Sequence, residues 1–304
     1  TMLVIHESLS SLHSMYRCFK PLLSNFKNEF CTIGVCFLEN EIDIEAKKLF
    51  DQHFLLSGLT LKDKVNNMIE IIDKYNPDII YYPSIGMSPL IILTASYKLA
   101  NKQIYSLGHP SPANSKSMDY CIYYEANPNV RDLDKNVDYL TGGSLGIVPG
   151  KKTEIAKEWK LSSVNKKQLS LDKVHVIITA TPFKITNRFI ELIKKIEDRF
   201  SGPLEFIFLI AGEKDLVDSQ LEIFLISELA SSVKVYSHMK YEHYLNFIYD
   251  SHLYLSPTPF GGTNSIYDCI SKGLLGPCLT SNNSFSEDSE RRFYQSAKLD
   301  NFIA

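Results

Sequence analysis

Pro259-Phe260-Gly261-Gly262-Thr263-Asn264-Ser265-Ile266-Tyr267-Asp268 follows a short apolar run, Leu253-Tyr254-Leu255, and leads into a helical pattern. A strand that turns through glycines into a helix is a building unit of doubly wound α/β sheets. The N–H groups of the helix start and the positive end of its dipole face outward, where a diphosphate can be held. Gly262 and Thr263 shape that start. Asn264 and Asp268 are four apart and share one helical face. Asn264 can therefore donate to a phosphate oxygen, while Asp268, one turn deeper, can accept from two ribose hydroxyls. The plainer alternative is a glycine turn, an N-cap at Thr263 and a solvated aspartate.

The same strand-then-helix rhythm extends through both halves of the chain. Apolar runs at Met2–His6, Thr32–Phe37, Asp78–Tyr82, Gln103–Leu107 and Tyr120–Tyr124 predict strands in the first half, with a helix over Leu61–Tyr75. In the second half Val174–Thr179, Leu204–Ile210, Val233–Tyr236, Leu253–Leu255 and Pro277–Thr280 predict strands, and Thr186–Phe200 an amphipathic helix. Alternation of this kind, twice over, implies two doubly wound parallel sheets. The break falls between about residues 126 and 172, where Asn127-Pro128-Asn129, Thr141-Gly142-Gly143-Ser144 and Pro149-Gly150-Lys151-Lys152 precede a lysine-rich stretch. The expected division is a first domain over 1–150, a linker over 151–172 and a second domain over 173–304, with ligands at the carboxyl ends of the strands, in a cleft between the sheets.

Composition narrows the class. A chain of 304 residues, 44% hydrophobic and 22% charged, is long enough for two cores and has the balance of an ordinary globular protein. A net charge of −3 gives no general attraction to nucleic acid or to anionic membrane, and no apolar run reaches transmembrane length. No nucleic-acid partner and no membrane insertion are expected. Six cysteines (Cys18, Cys31, Cys36, Cys121, Cys269, Cys278) show no CxxC pair, which suits buried thiols in a reducing compartment better than disulfides or zinc. The expected location is cytoplasmic.

Several polar groups stand at the predicted strand ends. Lys184, in Thr181-Pro182-Phe183-Lys184-Ile185-Thr186, can reach a phosphate at the Asn264 helix start and stabilise charge on a departing diphosphate, or is a plain surface lysine in a turn. Gly212 follows the strand ending at Ile210 and leaves room for a ligand, or is a plain turn glycine. His238 and Tyr241 follow the strand ending at Tyr236, where they can contact a base. In the first half, Tyr81–Met87 brings Ser84 and Gly86 to a strand end, and His13-Ser14-Met15-Tyr16-Arg17 opens a helix. His109 precedes Pro110, which keeps it out of helical geometry; it can act as a proton acceptor, for which it is the one candidate, or as a hydrogen-bond donor to substrate.

Taken in order, His13–Arg17, Tyr81–Met87, Gly108-His109-Pro110, the Lys184 loop and Pro259–Asp268 resemble the bacterial cytoplasmic N-glycosyltransferases that modify high-molecular-weight adhesins, relatives of the O-GlcNAc transferases in glycosyltransferase family 41. The resemblance spans about Leu3 to Ile303. It implies an α/β fold of the GT-B type, two Rossmann-like domains facing a central cleft, and an inverting, metal-independent transfer from a UDP-hexose. It also implies that Lys184 holds the donor diphosphate, Asn264 the phosphates and Asp268 the ribose. His238 matches a histidine on the uridine side, and His109 the histidine of the Gly-His-Pro motif. No cofactor and no metal are expected at such a site; the UDP-sugar is a donor substrate.

The pattern departs from the resemblance in three places. Family members carry a helical domain ahead of the first Rossmann half and further helices beyond the position of Phe302, so the chain is either a fragment or lacks the closing tail, and a partner domain or subunit can stand in for the helical one. The family's Gly-Asn-Thr-Asn is Gly261-Gly262-Thr263-Asn264 here, a looser loop that keeps Asn264. The expected function is transfer of a hexose, glucose first, to a protein acceptor such as an adhesin, at an Asn side chain. A polysaccharide-building glycosyltransferase, a sugar-nucleotide epimerase of the same fold and a non-catalytic UDP-binding partner subunit are the alternatives.

Overall fold

In the computed structural model the described residues are 1–106 apart from 12, 40, 41 and 87; 113–123; 137–141; 172–210; 216–279 apart from 238, 240 and 260; and 290–303 apart from 292, 293, 296 and 297. The chain divides into two compact units, Thr1–Lys152 and Thr153–Ala304. The expected linker, 151–172, lies outside the described residues except for Asp172.

Unit 1 runs β1 (Met2–Ile5), α1 (Ser14–Glu29), β2 (Thr32–Cys36), α2 (Ile44–Lys47), β3 (Gln52–Leu55), α3 (Leu61–Tyr75), β4 (Ile79–Tyr82), α4 (Pro89–Ala95), β5 (Lys102–Ser106), β6 (Tyr120–Tyr123) and β7 (Asp138–Thr141). Its strands form a parallel sheet in the order β3-β2-β1-β4-β5-β6-β7. The order reverses between β1 and β4, which makes the loops after these two strands the natural ligand crevice of this unit. Helix starts are locally encoded: Thr60 and Asp63 close a capping box on α3, and Asp43 caps α2 by accepting from Ala46 N–H. One face of the sheet is covered by α1, whose Met15, Tyr16, Phe19 and Leu23 pack on Met2, Val4 and Tyr81.

Unit 2 runs β8 (Val174–Ala180), a 3-10 turn at Pro182–Lys184, α5 (Asn187–Arg199), β9 (Leu204–Ile210), α6 (Leu216–Glu228), β10 (Ser232–Ser237), α7 (Tyr241–Tyr249), β11 (Leu253–Tyr254) and α8 (Thr263–Ser271). Its parallel sheet has the order β10-β9-β8-β11. The period of two along the strands separates two cores. Val176, Ile178, Phe206 and Phe208 pack against Phe189, Ile190 and Ile193 of α5 and Leu225 of α6. Ile177, Ile207 and Leu209 pack against Ile248 of α7 and Ile266, Cys269 and Ile270 of α8. With helices on both faces, this is a doubly wound unit, and its order reverses between β8 and β11.

Three expectations need correction. No strand was expected between 126 and 150, yet β7 lies there and pairs along β6 from Tyr120 opposite Asp138 to Tyr123 opposite Thr141. Strand β3 was not expected at all, because Gln52-His53-Phe54-Leu55 is short and half polar. The predicted strand Pro277–Thr280 reduces to one bridge between Cys278 and Ile303; Thr280 lies outside the described residues. Proline at 277 removes a ladder donor, and Gly276 is pressed against the chain of Tyr254, whose oxygen lies 1.6 Å from where a Cβ would stand. Among the described residues no helix is long and apolar enough to cross a membrane.

Candidate functional site

The two strings that carried most of the sequence reading come from the two strands that flank the reversal in unit 2. Lys184 follows β8 in the 3-10 turn, and Gly261-Gly262-Thr263-Asn264 follows β11. They meet: Lys184 Nζ donates to the Gly261 carbonyl oxygen at 2.6 Å. Lys184 is half-buried, and burial lowers its pKa while the nearby Glu290 carboxylate works in the opposite direction. A lysine so placed keeps one charge beside the loop without a direct carboxylate bond, leaving its ammonium able to turn toward a bound anion.

Helix α8 begins at Thr263 with Gly262 as its N-cap, and no side chain caps it. Thr263 is therefore the first helical residue and not the cap. Gly262 lies close under the end of β8: a Cβ there would stand 3.1 Å from Ser265 Oγ and 3.9 Å from the Thr179 carbonyl oxygen. The first-turn N–H groups of α8, which have no acceptor within the helix, thus open at the carboxyl end of the sheet beside Lys184.

Asp268 is not the solvated aspartate of the plainer alternative. It is 2% exposed, and Tyr241, the first residue of α7, donates its hydroxyl to Asp268 Oδ1 at 2.7 Å. The structure thereby joins two residues that the sequence offered separately. The surrounding phenols are held protonated: burial pushes Tyr244 up, with Asp268 adding to it, and burial likewise raises Tyr254, with Cys269 and Glu290 adding. Cys269 is raised by burial and then by Asp268 and Glu290. Neutral phenols remain donors, which stabilises buried carboxylates.

Glu290 was missed. It is 1% exposed, its Oε1 accepts from Ser256 Oγ at 2.7 Å, and it lies so close to Gly261 that a Cβ there would fall 1.7 Å from Oε1. It holds the far side of the loop whose near side Lys184 grips. In sequence it belongs to a polar run, Ser286-Glu287-Asp288-Ser289-Glu290, that reads as solvated surface.

The remaining candidates divide. His109, Gly212 and His238 lie outside the described residues. A cavity of about 550 Å³ borders the expected base-side loop, lined by Tyr236, Ser237 and Met239 at the end of β10 and by His243, Asn246 and Phe247 of α7. In unit 1 the strings after β1 and β4 flank that unit's own reversal: His13 caps α1 by accepting from Met15 N–H at 3.2 Å, Ser84 is buried and Gly86 has φ of +122°.

Comparison with known proteins places this geometry. No family model matches the chain. Among solved structures it superposes on a point variant of the O-GlcNAc transferase of Thermobaculum terrenum with TM-score 0.69 at 14% identity, covering 100% of this chain and 57% of that one. The lipopolysaccharide outer core galactosyltransferase WaaB gives TM-score 0.53 at 13% identity, over 93% of this chain and 81% of that one. Two doubly wound units with these neighbours define a protein of the GT-B fold class. In sequence the chain is similar to the proteins named UDP-glucose:protein N-beta-glucosyltransferase of Actinobacillus pleuropneumoniae serotypes 5b and 7, at 27% identity over 280 residues, 92% of this chain. These relatives agree with the resemblance to protein N-glycosyltransferases drawn from the five motifs. The chain spans 44% of the length of these relatives.

Proposed function

We propose that the chain provides the donor site and the transfer site of a glycosyltransferase that moves glucose from UDP-glucose to the side-chain nitrogen of an asparagine in a protein acceptor. The observation that carries this reading is the meeting of Lys184 and the α8 start across the reversal of the unit 2 sheet, with Nζ 2.6 Å from Gly261 O. The sequence relatives, named for UDP-glucose and protein, supply the donor and the acceptor class.

In this mechanism the diphosphate lies on the α8 start, with Asn264 as a donor and Lys184 as counter-charge. The amide nitrogen attacks the anomeric carbon, an N–C bond forms as the C–O bond to UDP breaks, and the configuration inverts. The nitrogen's proton passes to a base, for which His109 is the candidate; UDP leaves with the electron pair, and its growing charge is met by Lys184 and the helix terminus. Asp268 orients the ribose and is itself held by Tyr241. These groups supply locally the positive charge that a divalent ion supplies in other transferases, so no metal is assigned to the step.

The test is a donor and acceptor screen. UDP should raise the melting temperature of the chain while ADP and GDP do so much less, because a ligand that binds only the native state stabilises it by mass action. Incubation with UDP-glucose and asparagine-containing acceptor proteins should add one hexose by mass spectrometry. Equal shifts with all three nucleotides would remove the donor assignment; a selective UDP shift with no transfer would favour the non-catalytic partner subunit.

A further inference from the structure

Away from the residues assigned to donor binding, three side chains converge from three adjacent strand segments in unit 1, His6 and Cys36 from carboxyl ends and His53 from within its strand. His6 directly follows β1, Cys36 ends β2, and His53 lies in β3; the sheet order β3-β2-β1 makes them neighbours. The two imidazole Nε2 atoms are 3.0 Å apart, and one ligand atom from each of the three residues lies within 4.8 Å of the others.

The surroundings orient these groups. His6 Nδ1 lies 2.8 Å from the Glu7 carbonyl oxygen, which can only accept, so the Nδ1 proton is fixed and the Nε2 lone pair faces His53; the Cys36 thiol donates to the Leu38 carbonyl oxygen at 3.5 Å. A carbonyl on the far ring nitrogen is the usual way a metal-binding imidazole is held. Phe50 stacks on the His6 ring at 5.6 Å with 2° between planes. Gly34, in the middle of β2, makes the space: a Cβ there would stand 2.6 Å from His53 Cδ2 and 2.7 Å from the Phe50 ring. Burial keeps both rings neutral near pH 7, lowering His6 to about 4 and His53 to about 3, the latter also through its neighbours His6 and Lys47. Neutral imidazole is the form that binds metal.

We propose that His6, Cys36 and His53 bind one divalent transition metal of the zinc type, through two imidazole nitrogens and one thiolate. Tetrahedral coordination with ordinary bond lengths sets the nitrogens about 3.4 Å apart and nitrogen to sulfur about 3.6 Å, spacings that small side-chain rotations reach from the present ones. Without metal, His53 Nε2–H donates to His6 Nε2. On binding, the metal takes that place, the His53 proton moves to Nδ1, and the Cys36 thiol releases its proton to solvent. A water completes the four positions on the side of His53, the one ligand of the three that is not fully buried. The ligands come from three strands, so no local spacing announces them.

The probe is Co²⁺ added to the metal-free full chain under reducing conditions. One equivalent should produce a thiolate-to-cobalt charge-transfer band, displaced by Zn²⁺. Cys36→Ser should abolish the band, Cys31→Ser should leave it, and His53→Gln should weaken cobalt affinity at least tenfold. Absence of the band, or its survival in Cys36→Ser, would overturn the proposal. A second measurement needs no variant: Zn²⁺ should slow alkylation of Cys36 in the wild-type chain at least tenfold relative to Cys31, read by mass spectrometry, and equal rates with and without Zn²⁺ would overturn it equally.

Discussion

Lys184 and Gly261, 77 positions apart in sequence, are joined by a 2.6 Å hydrogen bond from ammonium to main-chain carbonyl. The bond ties the loop after β8 to the loop after β11 at the point where the unit 2 sheet reverses its order. If the ammonium turns to the leaving diphosphate during transfer, Lys184→Ala should lower turnover by on the order of a hundredfold, with a smaller effect on affinity for UDP-glucose. Initial rates and UDP titration of the variant give both quantities. Wild-type turnover would reduce Lys184 to a loop tether.

Asp268 and Tyr241 form a pair whose two variants should separate. Asp268→Asn should weaken UDP and UDP-glucose alike by roughly 1–3 kcal/mol, the range of a charged hydrogen bond. Because Asp268 is 2% exposed, the same change should also lower the melting temperature. Tyr241→Phe removes only the donor at 2.7 Å and should leave turnover at saturating UDP-glucose close to wild type while weakening UDP by a smaller amount. Isothermal titration of both variants checks this, and unchanged UDP affinity in Asp268→Asn would detach the residue from the ribose.

Transfer should continue in EDTA and gain nothing from added manganese, since Lys184 and the α8 start provide the positive charge at the leaving group. Chelation of the His6, Cys36 and His53 site should instead show as a lower melting temperature. A loss of transfer that manganese restores would contradict the proposed donor site.

Much of the architecture was legible because apolar runs alternate with helical periodicity. Val174-His175-Val176-Ile177-Ile178-Thr179 and Leu204–Ile210 read as buried strands because β-branched and apolar runs interrupted by one polar residue each, His175 and Glu205, have few other uses. β3 and β7 were not legible, since Gln-His-Phe-Leu and Asp-Tyr-Leu-Thr are four-residue strands whose pairing depends on neighbours far along the chain. In the candidate site, Lys184, Asn264 and Asp268 followed from strand ends and helical spacing. Glu290 did not, because its burial against Gly261 and Ser256 is a tertiary fact hidden in an acidic run. Burial of Asp268 escaped for the same reason: an i,i+4 rule gives a shared face but not what covers it.

Glu205, on the central strand β9, gathers Lys234 at 3.1 Å, Ser232 at 3.1 Å and Lys173 at 3.3 Å while its side chain is 5% exposed. Burial works to raise its pKa, and the hydrogen bonds from Lys234, Ser232 and Lys173 outweigh that, so it lies below the usual carboxylate value in the folded chain. A depressed folded value contributes stability that is present above the unfolded pKa of 4.5 and is lost as pH falls through the lower folded value. Urea midpoints should therefore drop below about pH 4.5. Glu205→Gln should cost about 1–3 kcal/mol at pH 7 and flatten that part of the pH profile. An unchanged profile would show that the cluster contributes nothing to acid sensitivity.

The loop that carries Gly261 is packed from behind, and this makes a test of the site that does not touch any charged group in front of it. An alanine Cβ at 261 would stand 1.7 Å from Glu290 Oε1 and 2.3 Å from its Cδ, so one of the two must move. Glu290 is held by Ser256 in a buried place, so its carboxylate can turn aside only by giving up that hydrogen bond, and the clash falls partly on the loop. Gly261→Ala should then cost about 1–3 kcal/mol of stability. It should also displace the carbonyl that receives Lys184, weakening UDP at least tenfold. Glu290→Ala in the same chain removes the obstructing carboxylate, so the double variant should recover part of the UDP affinity. The two changes should be non-additive, as expected for groups in contact. Melting curves and UDP titration of the two single variants and the double variant decide the matter. Additive losses, or a Gly261→Ala chain that binds UDP like wild type, would mean that Glu290 does not set the position of the loop.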